Sequence, residues 1–329
     1  MMKATFRYIR YIFLILIFVI FNCILLFSLK EDKMVKGELK PKIVLISHVK
    51  SNPYWQYVRE GAEAAAKKRN AIIDFEGPDS PSVEEGIKYI KMAYSAKVSG
   101  IITFVQDEVK YKTAINNVAD IQIPIVTIDA DADKSKRYAY VGTDNNYAGT
   151  VGAKEMVAEV GLEGKIGIII GGKNVKNQVE RVNGFEDYIH KNSNLDIVEV
   201  ESSDAYLLEA ELAAKKIIMN NYDIKALFCT SALDGEGAAK AIINMNLEGK
   251  IKIVCFDNLE ETKDYIKNGI ITSLILQQPY DMGYKAVNII MDNLEGKETK
   301  GIFLTDIKVV KKDNLQEQLD KLGENNIEK

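Results

Sequence analysis

The sequence predicts an α/β protein of two doubly wound parallel-sheet lobes, preceded by one N-terminal transmembrane helix. Short apolar strands alternate with amphipathic helices from residue 42 to residue 311, which favours parallel strands joined by right-handed crossovers. The alternation restarts near residue 144, and about ten strands exceed what one doubly wound sheet usually holds. An uncharged apolar run, Tyr11 to Leu29, comes before the first strand.

The segment from Lys42 to Arg69 is the clearest strand–turn–helix unit. Its first residues form an apolar run rich in Ile and Val, typical of a strand that is covered on both faces. Asn52 is suited to cap the following helix, and Pro53 suits the first helical position. The turn between them should lie at the carboxyl end of a parallel strand, where open α/β sheets bind ligands. Its polar and aromatic residues are His48, Asn52, Tyr54 and Trp55, the single Trp of the chain.

The rest of the first half continues the alternation. A capping-box spacing of Ser82 and Glu85 predicts the start of the second helix. The remaining predicted strands are Ala71–Glu76, Gly100–Val105, Pro124–Asp129 and Tyr138–Gly142, with a helix over Tyr111–Ala119.

The second half of the sequence shows the same alternation of strands and helices. Gly161 predicts the end of the helix that covers Tyr147 to Val160. The predicted strands are Lys165–Ile170, Asp196–Glu201, Ala226–Thr230, Lys252–Asp257, Thr272–Gln277 and Thr305–Val310. The helices between them are Val179–Lys191, Tyr206–Asn220, Gly235–Asn244, Leu259–Lys267 and Pro279–Leu294.

The N-terminal apolar run, as a helix, would span roughly 28 Å, about one hydrocarbon core. Lys3, Arg7 and Arg10 precede it, so the N-terminus should stay cytoplasmic while the rest is exported. A cleavable signal peptide is the alternative, but no small-residue cleavage site follows the run, and no lipoprotein box precedes Cys23. We therefore expect an uncleaved single-pass anchor in the cell membrane, with the lobes on the extracytoplasmic face.

Composition excludes several functions. The chain has 329 residues and a net charge of −4, which gives no sign of a nucleic-acid-binding surface. Two His and three Cys leave little material for a metal site, so no metal and no cofactor is expected. Cys229 and Cys255 fall in apolar strands and are expected to be free core thiols.

Enzyme motifs are weak in this sequence. Gly167 to Asn174 nearly matches the phosphate loop GxxxxGK[ST], but Asn174 replaces the magnesium-binding hydroxyl and Gly167 lies inside a predicted strand. Asp129 and Asp257 remain open as an acid/base pair of a glycosidase, because sequence does not give their separation. We nevertheless expect a protein that is not an enzyme.

Polar residues close several of the predicted strands. Carboxylates accept hydrogen bonds, amides both donate and accept, and a neutral polyol satisfies both kinds of group while an aromatic ring covers its C–H face. Arg181 follows the predicted strand Lys165–Ile170 and adds a planar donor fork. Helix caps and surface ion pairs are the alternative roles for any one of them. The strand-end residues are His48, Asp129, Asp257 and Gln277.

Seven motifs together resemble the periplasmic-type sugar-binding proteins of the ribose-binding group, the type I solute receptors. They span residues 42–311 and are SNPYW (51–55), REGAEAAAKK (59–68), IPIVTIDA (123–130), VGTDNNYAG (141–149), RVNGF (181–185), IVCFDN (253–258) and LQQPYDMG (276–283). The same fold serves as the effector domain of sugar-responsive repressors. Here a membrane segment stands where those have a DNA-binding motif, so DNA binding is not expected.

The resemblance implies a ligand site. Asn52, Tyr54, Trp55 and Asp129 match first-lobe sugar contacts. Arg181, Asp257 and Gln277 match contacts of the second lobe or the hinge. The sequence departs from the ribose pattern at His48, at Phe104, at Ala130 and at Ser231, so the general sugar grip is implied but ribose itself is not. The full set of expected ligand-binding residues is His48, Asn52, Tyr54, Trp55, Phe104, Asp129, Arg181, Ser231, Asp257 and Gln277.

The resemblance also implies a three-segment hinge, with crossings near Thr143, Gln277 and Phe303. The expected divisions are a cytoplasmic stub and anchor (1–30), a linker (31–41), a first lobe (42–143 plus 278–303), a second lobe (144–277 plus 304–311) and a charged tail (312–329). The lobes should close around a monosaccharide or similar small polyol and present the closed form to a membrane partner. That partner is either the permease of an ABC importer or a sensor histidine kinase.

Overall fold

The computed structural model describes residues 14–22 and 40–318. The chain divides into two compact units, Met1–Lys40 and Pro41–Lys329. In the first unit, residues 14–22 form a helix, α1. The anchor expected over Tyr11 to Leu29 extends beyond these nine residues at both ends, and Cys23 also lies outside the described part. Within the described residues, none of the helices is both long enough and apolar enough to cross a membrane.

The first lobe of the second unit is built on a six-stranded sheet with the strand order β11-β5-β4-β3-β1-β2, all parallel. Its strands are β1 (Lys42–Ile46), β2 (Ile72–Glu76), β3 (Gly100–Thr103), β4 (Ile125–Ile128), β5 (Ala139–Gly142) and β11 (Gly301–Leu304). Its helices are α2 (Pro53–Lys68), α3 (Val83–Ser95), α4 (Glu108–Asp120) and α10 (Pro279–Leu294).

The second lobe repeats that order in a second six-stranded sheet, β12-β10-β9-β8-β6-β7. Its last strand runs antiparallel to β10, so this sheet is not entirely parallel as predicted. Its strands are β6 (Glu163–Ile170), β7 (Asn194–Ser202), β8 (Ile224–Cys229), β9 (Lys252–Phe256), β10 (Ser273–Leu276) and β12 (Lys308–Val310). Its helices are α5 (Asn145–Val160), α6 (Lys176–Asn192), α7 (Leu207–Asn220), α8 (Ala232–Asn244) and α9 (Glu260–Lys267).

Local sequence explains where the helices near the cleft begin. Asn52 accepts a hydrogen bond from the Tyr54 backbone N–H, with Pro53 in the first turn, and so starts α2 as predicted. Ser82 caps α3 through the Glu85 N–H in the same way. These caps fix the point at which each chain segment leaves its strand, and that point decides which side chains face the cleft.

Each lobe also contains one close helix pair. A Cβ on Gly61 of α2 would lie 1.9 Å from the Tyr280 carbonyl oxygen of α10. A Cβ on Gly149 of α5 would lie 2.0 Å from the Arg181 carbonyl oxygen of α6. Glycine is therefore required at both crossings.

Three segments cross between the lobes, at residues 143–144, 277–278 and 305–307. Thr305 donates its N–H to the Gly142 carbonyl over 2.8 Å, and Thr143 Oγ1 lies 2.8 Å from Gln277 Oε1, so the crossings run side by side. The prediction of a single strand from Thr305 to Val310 is wrong at its start, because the strand is β12 (Lys308–Val310), and the strand β11 before it was missed. β11 is a short apolar edge strand in which Ile302 and Leu304 are exposed, and the crossing predicted near Phe303 follows it.

Candidate functional site

A cavity of about 590 Å³, counted with its open mouth, lies between the two lobes at the carboxyl ends of their strands. All ten residues expected to bind ligand line it: His48, Asn52, Tyr54, Trp55, Phe104, Asp129, Arg181, Ser231, Asp257 and Gln277. Sheets of this kind carry ligands at this edge, so the position of the cavity agrees with the topology.

The first-lobe wall is mainly aromatic. Trp55 is buried and meets Tyr54 and Phe104 edge to face, with ring centroids 5.6 and 5.5 Å apart. The His48 ring lies 4.6 Å from the Phe104 ring. Burial lowers the pKa of His48 to about 4, so the ring is neutral at pH 7 and offers one N–H and one acceptor. This wall suits the C–H face of a small uncharged ligand.

Asp129 is the carboxylate of the first-lobe wall. It directly follows β4 with φ of +66°, a left-handed conformation that turns the chain at the strand end. It accepts hydrogen bonds from Tyr54 Oη (3.2 Å) and, across the cleft, from Asn177 Nδ2 (3.1 Å). Burial raises its pKa to about 6, although the Arg181 charge opposes the rise. It is therefore ionised at neutral pH and accepts hydroxyl hydrogens.

Arg181 is the cation of the cavity and is 2% exposed. Its Nε donates to Asn145 Oδ1 (3.0 Å) and its Nη1 donates to the Thr230 carbonyl (2.8 Å). Its guanidinium carbon lies 4.2 Å from the centroid of the Phe256 ring, a cation–π contact. These contacts hold the planar donor group in place before any ligand arrives.

Asp257 and Gln277 form a rigid pair at neighbouring strand ends. Gln277 donates its backbone N–H to Asp257 Oδ1 (2.9 Å) and its Nε2 to Oδ2 (2.6 Å). Burial raises the pKa of Asp257, while the Arg181 charge opposes the rise. Because Thr143 also bonds Gln277, this pair links the cavity to two of the hinge crossings.

Ser231 reaches the cavity from the start of α8. Its Oγ donates to Asp234 Oδ2 (2.7 Å) and accepts from the Asp234 N–H (3.2 Å). Asp234 is fully buried and also receives the Ser203 hydroxyl, and burial raises its pKa to about 6. The Ser231 hydroxyl therefore presents a lone pair, not a hydrogen, to the cavity.

Three buried polar atoms of cavity residues have no hydrogen-bond partner among the described residues: His48 Nε2, Asn177 Oδ1 and Arg181 Nη2. Arg181 Nη2 lies 3.9 Å from Asp129 Oδ1, too far for a hydrogen bond. Leaving such groups unpaired is costly, and hydroxyl groups that both donate and accept would satisfy all three.

The sequence reasoning missed seven cavity residues, all in the second lobe: Gly171, Val175, Asn177, Gln178, Ala205, Ala232 and Leu233. Helical spacing offered a signal for two of them. Asn177 and Gln178 precede Arg181 by four and three residues and so share its helix face. The others contribute backbone or apolar surface, for which the sequence carries no distinguishing pattern.

Within residues 14–22 and 40–318, no group of three or more His, Cys, Asp or Glu side chains is arranged to hold a metal ion. Cys229 and Cys255 are buried free thiols, as predicted, and burial raises the pKa of both.

Two α/β lobes with three hinge crossings and a polar, aromatic-walled cavity between them define a two-lobed ligand-binding receptor. The sequence profile of the periplasmic binding protein domain matches residues 43–298, and the chain belongs to that family. This confirms the resemblance drawn from the seven motifs.

Individual relatives agree. The D-allose-binding periplasmic protein of Escherichia coli (strain K12) is 26% identical over 252 residues, which cover 74% of this chain and 81% of that protein. The ribose import binding protein RbsB of Bacillus subtilis (strain 168) is 25% identical over 263 residues, 79% and 83% of the two chains. A solved structure titled XylFII-LytSN complex is 55% identical with a TM-score of 0.80, covering 84% of this chain and 99% of that one. The relatives are sugar-binding receptors rather than enzymes.

Proposed function

We propose that this protein is an extracytoplasmic receptor that closes around a monosaccharide or a similar small polyol and presents the closed form to a membrane-bound partner. The observation that carries the proposal is the set of unpaired polar atoms in the cavity. A neutral polyol would pair His48 Nε2, Asn177 Oδ1 and Arg181 Nη2, while the Trp55 and Phe104 rings would cover its apolar face.

Hinge closure follows from the distribution of these groups over two lobes. His48, Trp55 and Asp129 belong to the first lobe, and Asn177 and Arg181 belong to the second. A ligand that contacts both walls binds the closed form better than the open form, and only that difference in affinity shifts the population.

We propose a sensor kinase as the partner. A protein 55% identical to this one has been solved in a complex with a second protein, LytSN, which supports signalling through a partner protein. The alternative is delivery of sugar to the permease of an ABC importer, favoured by the ribose import binding protein among the relatives. For either role we propose the location expected from the N-terminal apolar run, a single-pass anchor with the lobes on the extracytoplasmic face.

Tryptophan fluorescence and calorimetry of the full-length protein in detergent solution test sugar binding. The panel is D-ribose, D-xylose, L-arabinose, D-glucose, D-galactose, D-allose and the phosphates of ribose and glucose. We expect a neutral sugar to bind and to change the Trp55 emission, because this single Trp is buried in the cavity wall. The phosphates should not bind, because Asp129 and Asp257 would repel them.

Two results would contradict the proposal. If calorimetry shows no binding heat with any neutral sugar of the panel, the proposed receptor function is wrong. A calorimetric signal without any change of Trp55 emission would place the binding site elsewhere. To separate the two partners, membranes are solubilised with and without the bound sugar and the protein is captured. A kinase that is captured with the protein in a sugar-dependent way supports sensing. A permease that is captured with it supports import.

A further inference from the structure

Three consecutive residues at the start of α6 reach from the second lobe to the first. Val175 packs in the same apolar cluster as Trp55 and Phe104 of the first lobe. Asn177 donates its side-chain N–H to Asp129. Lys176 lies between them and forms ion pairs with first-lobe carboxylates. Val175 and Asn177 line the cavity, but Lys176 does not.

The Lys176 ion pairs close the edge of the cleft. Its Nζ lies 2.9 Å from Asp133 Oδ2, in the loop after β4, and 3.9 Å from Glu108 Oε2, in the first turn of α4. The Lys176 side chain is 24% exposed, that of Glu108 is 21% exposed and that of Asp133 is 49% exposed, so water screens the shorter pair more than the longer one. Glu180, one turn further along α6, adds a third negative charge nearby.

Ionisation agrees with the geometry. The hydrogen bond from Lys176 is the largest cause that lowers the pKa of Asp133. Burial acts to lower the pKa of Lys176, but the hydrogen bond and charge of Asp133 outweigh it and the pKa is raised. Both groups are therefore charged at neutral pH.

We propose that Lys176 is an affinity-setting residue, which holds the two lobes closed through Asp133 and Glu108 without touching the sugar. The inference rests on the proposed receptor function. Opening the hinge separates Lys176 from both carboxylates, so the ion pairs stabilise only the closed form. A ligand must supply the free energy that closure costs in its absence. Ion pairs that stabilise the ligand-free closed form lower this cost and so improve the apparent affinity for the sugar.

The proposal predicts the effect of a single charge removal. Lys176→Gln should raise the sugar Kd about twofold to fivefold, chiefly through faster dissociation, because a partly exposed ion pair of this kind contributes a modest free energy. Raising the salt concentration should weaken sugar binding to the wild-type protein and should affect the variant much less.

A matched control is available in the same lobe. Lys165 Nζ lies 2.9 Å from Asp223 Oδ1, and both residues belong to the second lobe. Lys165→Gln removes one lysine and one ion pair of the same length without any contact across the cleft. It should leave the Kd and its salt dependence unchanged. The charge swap Lys176→Asp with Asp133→Lys should recover part of the lost affinity, whereas each single reversal should not.

The experiment uses the full-length protein in detergent and the sugar of the panel that binds the wild type most tightly. Equal Kd values for Lys176→Gln and Lys165→Gln, with the same salt dependence, would overturn the proposal. So would a loss of affinity that the charge swap does not reduce, because that would indicate a local structural effect.

A second readout needs no ligand and separates the two proposals. Spin labels at Lys112→Cys and Glu209→Cys, both exposed and in different lobes, report the distance between the lobes in a Cys23→Ser background. We expect Lys176→Gln to shift the distance distribution towards the open form. If no sugar binds the wild type, the proposed receptor function is wrong. The distance distributions then still test whether the Lys176 ion pairs stabilise the closed form. An unchanged distribution would contradict it.

Discussion

The two lobes repeat one strand order but line the cleft with different chemistry. Asp129 follows β4, and Asp257 follows β9, which occupies the same place in the second sheet. Both adopt a left-handed backbone, with φ of +66° and +56°. The two carboxylates are thus equivalent in the fold, and their surroundings can be compared directly.

The partners of the two carboxylates differ. Asp257 is held on both oxygens by Gln277 of its own lobe. Asp129 has one partner in its own lobe, Tyr54, and takes the other, Asn177, from the opposite lobe. Asp257 therefore keeps its hydrogen bonds whether the cleft is open or closed, while the environment of Asp129 depends on closure.

The walls differ in the same sense. The first lobe provides aromatic rings, whereas the second provides a guanidinium group and the Gln277 amide, both already oriented by hydrogen bonds within that lobe. A preorganised polar wall pays little ordering entropy when it binds. We therefore expect the second lobe to supply most of the polar binding energy and the first lobe to supply shape and the response to closure.

Removal of Arg181 is the severest test of this division. Arg181→Met leaves Asp129 and Asp257 buried without their cation, and breaking a buried pair in this way costs about 3–5 kcal/mol of unfolding free energy. We expect loss of measurable sugar binding together with a lower urea midpoint. Arg59→Met is the control, because Arg59 pairs with Glu63 on an exposed face of α2. Wild-type affinity in Arg181→Met would show that the second lobe does not dominate.

The two equivalent carboxylates should separate binding from stability. Asp129→Ala should abolish sugar-induced thermal stabilisation while the ligand-free protein unfolds near its wild-type temperature. Asp257→Ala should also lower the unfolding temperature itself, because Gln277 loses both acceptors at the hinge and buried donors are left unpaired. Thermal unfolding with and without sugar measures both. Identical behaviour of the two variants would contradict the different roles assigned to Asp129 and Asp257.

The pH dependence of affinity gives the smallest expected effect. The pKa of Asp129 is about 6, and a sugar hydroxyl that donates to its carboxylate favours the ionised form. Affinity should be constant above about pH 7 and should fall below pH 6, by at most about tenfold per unit. Calorimetry between pH 5 and pH 8 measures this, and Asp129→Asn should flatten the curve. An unchanged wild-type affinity at pH 5 would mean that the ionised carboxylate is not needed.

The same titration should act on stability in the opposite direction. The folded pKa of Asp129 lies above its ordinary value of 3.8, so its protonation favours the folded state. Its contribution is complete below about pH 4 and is lost as the pH rises through 6. The contribution of Asp129 to stability should thus increase between pH 7 and pH 5 while the affinity decreases. The difference in stability between the wild type and Asp129→Asn isolates this contribution, because the lowered pKa of His48 acts in the opposite direction over the same range. Asp234, whose pKa is also about 6, adds to the gain in stability.

The sequence predicted most of the cavity because nine of its ten expected residues stand at or just after a strand end or at a helix start. The resemblance to sugar receptors indicated Phe104, Ser231 and Arg181, the last of which lies in the second turn of α6. Strand periodicity and caps place such positions on one sheet edge whatever the rest of the chain does. It did not predict the cross-lobe bond from Asn177 to Asp129 or the ion pairs of Lys176. Those depend on how far the hinge rotates, which leaves no periodic trace in the sequence.

By itself, the sequence determined the alternation of strands and helices, the two lobes and the chemical character of the binding residues, because these follow from local patterns and from motifs shared with sugar receptors. The tertiary structure alone decided that residues 301–304 form a strand, β11, at the edge of the first sheet, and that the start of α6 faces Asp129 and Asp133. Such contacts join segments far apart in the chain, and their energies depend on distance and burial, which a linear pattern does not contain.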